Sequence, residues 1–434
     1  MTAIDLATAQ QPPGTILCRT TSTPSAALPV ADRFASVVLN TGNLFYETAL
    51  LRHLPRIAVV YGCENLPDNV ERLVLSMSNF ISPASELGWV AEVLERKRVR
   101  QIVMVGAGAQ AYTYDEPIAL SAGTRRFVDL LADRSISIGV RGNYTAEVLR
   151  GLGVSNVSVI GCPSAFWHGA ERPITHNRTL PWWPRTAINV TPSGHFRDRI
   201  SALLGHGMRY GANYVLQSED WMMALVEPTA EAGLLDENLD YYAYPHCTPE
   251  MLRRWLADHL IAFFDIGEWI DAMRHYDFVY GSRFHGNMAA IQAGVPALNM
   301  VFDTRTRELC EYLNLPFMAL QDFSGDMRVA ELWERADFSL FNATYKRKFA
   351  TYIGFLEENG LCPDTVLPVA DKGACALAPS AIRISAMNVA ELLRDALAVG
   401  LQDASLLDHI AARLRADRPP AVREAVERAD FTGS

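Results

Sequence analysis

No stretch of the 434-residue sequence approaches the ~18 uninterrupted apolar residues of a membrane-spanning helix, so none is expected. Lys and Arg form no long run, and 39 basic against 49 acidic residues leave a net charge of −10. That balance offers no electrostatic footprint for nucleic acid. Cysteine is sparse: seven residues lie singly at positions 18, 63, 162, 247, 310, 362 and 375, with no Cys-x-x-Cys pair. An odd, scattered set fits reduced thiols rather than a disulfide framework. Metal-ligand spacing is missing too, with neither His-Glu-x-x-His nor a Cys/His cluster, so no metal site is expected. Met1 to Gly14 contains Asp5 and lacks the basic-then-apolar order of a secretory signal. The chain reads as cytoplasmic.

What is present is ordinary globular composition, 49% apolar and 20% charged with 28 Gly and 23 Pro. It excludes a disordered, collagen-like or coiled-coil protein. At about 100–200 residues per domain, the length suggests two or three domains. Residues 1–30, rich in Thr, Pro, Ala and Gln and without periodicity, read as a loose arm. Strand-like runs follow at Ser36–Asn40, Ile57–Tyr61, Arg72–Ser76, Gln101–Val105, Ser135–Gly139 and Val157–Ile160. Helical stretches separate them near 44–53, 83–98, 117–132 and 143–152. Ser82-Pro83 would cap the second of these and Gly151 would close the last. Continuous apolar strands alternating with helices indicate parallel strands covered on both faces.

Pro173, Pro181 and Pro184 interrupt the pattern and mark a linker. Beyond it, strands are expected at Thr186–Val190, Asn213–Gln217, Asp277–Tyr280 and Val295–Phe302. Helices are expected at 196–209, 248–264, 267–275 and 286–293, then at 340–358, 384–399 and 404–415. The fold class is α/β: two Rossmann-like parallel-sheet domains facing a cleft, with C-terminal helices. The boundaries are 31–178 for the N-terminal domain, 186–345 for the C-terminal domain and 346–434 for a helical segment. Ligands of open α/β sheets bind at the carboxyl ends of the strands.

The most informative segment runs from Asp277 to Leu298. Its strand enters Gly281-Ser282, and a helix of small residues starts near Gly286. Arg283 and His285 thus lie between a strand's carboxyl end and a helix's amino end, where free N–H groups favour an anion. Arg283 adds a planar fork suited to carboxylate or phosphate, and His285 a proton that can move near neutral pH. Either residue alone could simply brace the helix; both in one Gly-flanked turn favour a site.

This segment resembles the polysaccharide pyruvyltransferase family, and three blocks carry the resemblance. They are Ile138 to Val154, which contains Arg141; Ser282-Arg283-Phe284-His285-Gly286 with Gly294-Val295-Pro296; and Phe302-Asp303-Thr304-Arg305. Thr41-Gly42-Asn43-Leu44 is similar to the family's early Gly-Asp/Asn element, and the blocks together span roughly residues 36 to 320. The resemblance implies a glycosyltransferase B-like architecture and transfer of the enolpyruvyl carbons of phosphoenolpyruvate onto two hydroxyls of a glycan or lipid-linked sugar. Phosphoenolpyruvate is then the donor substrate, with no cofactor. Arg141, Arg283 and Arg305 each follow an expected strand and could converge on this anion, with Gly286 beside them. His285 is the candidate general acid. A nucleotide-sugar glycosyltransferase of the same layout is the alternative.

The family commonly carries Asp-Pro where this chain has Cys162-Pro163. A buried, non-catalytic thiol is expected there. Arg305 in place of the family's frequent lysine would clamp an anion without donating a proton. The turn holding Gly106 and Gly108 either lets backbone approach an anion or is a plain tight turn. His195 either faces the cleft or sits in a solvent-exposed loop. Glu219-Asp220 reads as a helix cap. Leu180-Pro-Trp-Trp-Pro184 either touches a membrane surface or packs its tryptophans into the hinge.

Overall fold

The computed structural model describes residues 14–18, 24, 27–176, 179–181, 183–222, 225 and 232–364. The expected helices at 384–399 and 404–415 and most of the arm lie outside the described residues.

The first sheet contains β1 (Thr15–Cys18), β2 (Ala58–Tyr61), β3 (Arg72–Leu75) and β4 (Gln101–Met104), all parallel in the order β2-β1-β3-β4. A single parallel bridge between Ala107 and Val140 joins it to the pair β5 (Ile138–Val140) and β6 (Val157–Val159). The loose-arm reading is therefore corrected for Thr15–Cys18. These residues are a strand between β2 and β3, with Ile16 and Cys18 buried in the core. The expected strand at Ser36–Asn40 is also corrected. Val30–Ser36 is helical, and Val38 and Leu39 turn at φ 53° and 50°. β-branched composition alone suggested a strand there, but β1 already occupies the edge of β3.

Ser82-Pro83 does not cap a helix either. Ile81 bridges Ala109, Gln110 N–H donates to Ile81 C=O, and the helix begins only at Gly88. The backbone pairing holds residues 80–82 extended past the sheet.

The second sheet has the parallel order β12-β11-β10-β7-β8-β9. Its strands are β7 (Thr186–Asn189), β8 (Asn213–Leu216), β9 (Leu260–Ala262), β10 (Phe278–Gly281), β11 (Ala297–Val301) and β12 (Phe317–Ala319). Numbered from β7, this is 3-2-1-4-5-6, the doubly wound order whose topological switch point lies between β7 and β10. Strand β9 replaces the end of the helix expected at 248–264; that helix stops at His259. The helices Ala232–Ala243 and Thr304–Leu313 and strand β12 were not anticipated.

Two long-range helices tie the sheets together. Helix Thr41–His53, capped by the Asn40 side chain on Gly42 N–H at 2.9 Å, packs Phe45 against Trp269 and Trp167. Helix Ser339–Glu358 starts beside the second sheet and ends against the first. Asn342 exchanges two 2.8 Å hydrogen bonds with the Ile174 backbone, and Asn359 C=O accepts from Gln101 at 3.0 Å. Between those ends, Phe355 closes on Gly139 in β5. Gly139→Ala would drive a methyl carbon against Ile160 Cδ1 and place it 2.8 Å from Phe355 Cζ and 2.9 Å from Met104 C=O. Overpacking of this kind costs about 1–3 kcal/mol. Urea unfolding should show that loss as a lower midpoint with an unchanged slope; an unchanged midpoint would mean that Ile160, Phe355 and Met104 do not close tightly on β5.

Candidate functional site

A small pocket of about 60 Å³ lies between the two sheets, and most of its wall follows strand ends. Ser78 and Asn79 come after β3, Arg141 after β5, Thr191 after β7, Gln217 after β8, Ser282 to His285 after β10, and Arg305 and Thr306 after β11. Asn40, Asn43 and Tyr46 close it from the first turns of helix Thr41–His53. Arg141, Arg283, His285, Arg305 and Asn43 thus share one pocket.

The glycines serve close approach rather than forming the wall. Gly42 sits flat against His285: a Cβ there would lie 2.8 Å from Nδ1. Gly286 is equally tight against the Asn189 and Gln217 side-chain nitrogens. Gly106 at φ 76° offers its carbonyl to Arg141 Nε at 3.0 Å, and a Cβ on Gly108 would meet the Arg141 side chain at 3.1 Å. This turn seats Arg141.

Each arginine has its own electrostatic setting. Arg283 is held by Val190 C=O at 2.9 Å, by the Ser218 hydroxyl and by Glu219, whose Oε1 takes Nε at 3.1 Å and also Nη2. Glu219 is buried, and its second oxygen accepts the Gln217 and Ser218 N–H groups at 2.9 and 3.1 Å. The helix-cap reading of Glu219 is corrected: the carboxylate is the ion-pair partner of Arg283. Arg305 bonds Asp303 at 2.9 Å, and the same carboxylate caps helix Thr304–Leu313 through Thr306 N–H. Arg141 has no carboxylate partner among the described residues. Its Nε donates to Gly106 C=O at 3.0 Å, while the Asn79 amide, oriented to satisfy both its ends, donates to Ser78 and accepts from Arg305 Nη1. Burial and then the neighbouring Arg305 charge lower its pKa, although Cys162, Tyr46 and Glu308 oppose the shift.

His285 is flanked by Phe45 and Tyr46 at ring separations of 6.0 and 5.9 Å. Burial holds its pKa well below the usual imidazole value, and Arg141, Arg305 and Arg283 push in the same direction. That shift favours the neutral imidazole near pH 7. Cys162 is buried, with Sγ 3.1 Å from Ser164 Oγ and 3.8 Å from His285 Nε2. His195 does not line the pocket; it is exposed and stacks on Tyr112.

Sequence reasoning missed Glu219, Gln217, Asn79 and Ser282. All but Glu219 line the pocket, and all four share the signal that found the arginines, a position within four residues after a strand. Gln217 lines the pocket, and its Nε2, buried beside Gly286, has no hydrogen-bond partner among the described residues. Among the described residues no group of three or more His, Cys, Asp or Glu could hold a metal ion, and no helix is long and apolar enough to cross a membrane. Trp182 lies outside the described residues.

A family model described as polysaccharide pyruvyl transferase matches residues 40–303. No curated protein sequence matches the chain. Among solved structures, the chain is similar to UDP-GlcNAc 2-epimerase of Methanocaldococcus jannaschii, bound to UDP-GlcNAc and UDP, at 8% identity and TM-score 0.37, covering 82% of this chain and 95% of that one. It is also similar to MnaA of S. aureus with UDP (11%, TM-score 0.38, 81% and 92%). A third likeness is to a variant of the wall teichoic acid polymerase TagF (12%, TM-score 0.33, 84% and 87%).

The Glu219–Arg283 pair generates a stability prediction. Removing one partner of a buried pair strands the other charge and costs about 3–5 kcal/mol. Glu219→Ala should lose stability on that scale in urea unfolding, and Glu219→Leu combined with Arg283→Met should recover much of it. Equal losses in the single and double variants would show that the pair is not the cause.

Proposed function

The chain belongs to the polysaccharide pyruvyl transferase family, and from that premise we propose that it moves the enolpyruvyl group of phosphoenolpyruvate onto two hydroxyls of one glycan acceptor. The product is a cyclic pyruvate ketal, and inorganic phosphate leaves. The observation that carries this reading is one pocket walled by three guanidinium groups, of which, among the described residues, only two are ion-paired to carboxylates. Phosphoenolpyruvate brings a carboxylate and a phosphate, which alone contributes roughly −1.5 to −2 charges at neutral pH. Arg141 is suited to bidentate capture of one of these groups, with Arg305 as a second cation beside it.

The chemistry needs a proton on the methylene carbon, which leaves an oxocarbenium centre at C2 for the first hydroxyl. Loss of phosphate regenerates such a centre for the second hydroxyl. His285 is the proton donor. Burial, and then Arg141, Arg305 and Arg283, favour the neutral imidazole. A bound anion offsets those charges and raises the imidazole pKa, so the proton arrives with the substrate. The acid is thereby armed only when there is something to protonate.

Two measurements test this. Arg141 is a buried cation without a carboxylate partner, so Arg141→Met should raise the urea midpoint while weakening phosphoenolpyruvate binding. One lost charge-assisted contact of about 1.5–3 kcal/mol corresponds to a roughly 10- to 150-fold weaker Kd. Tight binding of a nucleoside diphosphate sugar, with none of phosphoenolpyruvate, would replace this reading with a glycosyltransferase.

The second measurement is proton uptake. The His285 pKa rises on binding, so uptake occurs at pH values between the free and bound pKa, and affinity falls as pH rises through the bound value. Calorimetry in buffers of different ionisation enthalpy should record this uptake. In His285→Gln the enzyme's share should vanish, leaving the share of the ligand phosphate, and turnover should fall far more than binding. Equal losses in both would make His285 a clamp.

A further inference from the structure

The donor pocket leaves unexplained a pair of aromatic rings at its rim. Tyr112 follows β4 and is 52% exposed; His195 follows β7 and is also exposed. Their rings stack at 4.7 Å and 24°, which joins the two sheets' loops across the cleft. Both are wired to the pocket. Ala111 exchanges backbone hydrogen bonds with Thr304, accepting at 3.0 Å and donating to its hydroxyl at 3.1 Å, and Arg305 comes next. His195 lies four residues beyond Thr191 in the pocket wall. Phe196 supports the stack from behind, edge-on to His195 at 4.7 Å and to Phe302 at 5.6 Å. Tyr241, 43% exposed, brings its hydroxyl alongside Gly194.

This patch has a definite chemistry. An aromatic ring with one supported and one open face offers apolar area, while its polar edge stays wet. Among the described residues neither the Tyr112 hydroxyl nor the His195 imidazole has a side-chain hydrogen-bond partner, and the Glu116 carboxylate is close, accepting Tyr112 N–H at 2.8 Å. A pyranose ring matches that pattern, with a C–H face for stacking and a rim of hydroxyls for the polar edge. A second copy of the donor does not, because a small dianion has little apolar face to lay on the rings. We propose that the Tyr112–His195 stack is the platform for a neutral pyranose of the acceptor, holding its hydroxyls at the mouth of the donor pocket. The assignment of this sugar as the acceptor rests on the proposed transferase reading; the sugar site itself does not.

The test uses saturation-transfer NMR with methyl β-D-galactopyranoside and methyl β-D-glucopyranoside on the wild-type protein, Tyr112→Ala, Tyr112→Phe and His195→Ala. Phosphoenolpyruvate binding is measured calorimetrically on the same samples. At least one sugar should bind the wild type, weaken by about tenfold in Tyr112→Ala, and bind near normally in Tyr112→Phe. The phosphoenolpyruvate Kd should be unchanged in all variants. No saturation transfer to either sugar on the wild type, or equal transfer on Tyr112→Ala, overturns the platform. Parallel weakening of sugar and phosphoenolpyruvate also overturns it, because the stack would then be a clamp between the sheets. If the sugars behave as expected but phosphoenolpyruvate binds no variant and not the wild type, the platform stands and the donor assignment falls.

Discussion

Repulsion among three guanidinium groups in one small pocket is the constraint on which the site depends. Two unit charges about 4 Å apart interact by about 4 kcal/mol at an effective dielectric of 20. The protein moderates this with two carboxylates that are themselves fixed by backbone N–H groups. Glu219 is held by Gln217 and Ser218, and Asp303 by Thr306. Arg141 is left to the Gly106 carbonyl. The remaining imbalance leaves the pocket with a positive field, which adds to burial in lowering the His285 pKa.

The fold makes such a pocket cheap to build. In parallel sheets every strand releases its chain at the same edge, and here both sheets turn that edge to a common cleft. Residues far apart in sequence, such as Asn79, Arg141, Gln217, Arg283 and Arg305, need only stand just past a strand to meet. A buried amide network fixes the exact point of convergence. Asn189 accepts Arg283 N–H at 2.8 Å and donates to Asn287 at 2.8 Å, and Asn287 donates to Gly281 C=O at 2.9 Å and to Asn299 at 3.1 Å. It spans β7, β10 and β11 where the strand order reverses, so the Arg283 backbone is placed by the core of the sheet rather than by its loop.

Legibility followed the same logic. Strands and helices whose apolar pattern is continuous, such as β3, β4 and Ser339–Glu358, could be read directly, and so could the three arginines that follow strands. Strand β1 escaped because four residues of Thr-Ile-Leu-Cys inside a Thr- and Pro-rich stretch carry too little periodicity; its identity comes from the gap it fills between β2 and β3. Val38 and Leu39 misled in the opposite direction, since side-chain type suggested extension where the backbone turns left-handed. Glu219 looked like a cap because its hydrogen bonds to nearby N–H groups are local. Its partner Arg283, 64 residues away, is a tertiary fact.

The way the helices cross the molecule has a consequence for how it comes apart. Ile16, Val74, Val103 and Ile160 of the first sheet belong to the same buried cluster as Ile188, Val215, Tyr280 and Met300 of the second, bridged by Phe45, Phe166 and Tyr352. The first sheet also packs a separate cluster on its other face, around Leu73, Ile102 and Phe127, but its inner face shares this interior with the second sheet. Separating the halves exposes that shared apolar surface, so the two should melt together as one cooperative unit, unlike domains on a flexible tether. A shared interior of this kind favours small sliding movements of helices Thr41–His53 and Ser339–Glu358 over it, as in shear motion, rather than a free hinge at the proline-rich linker.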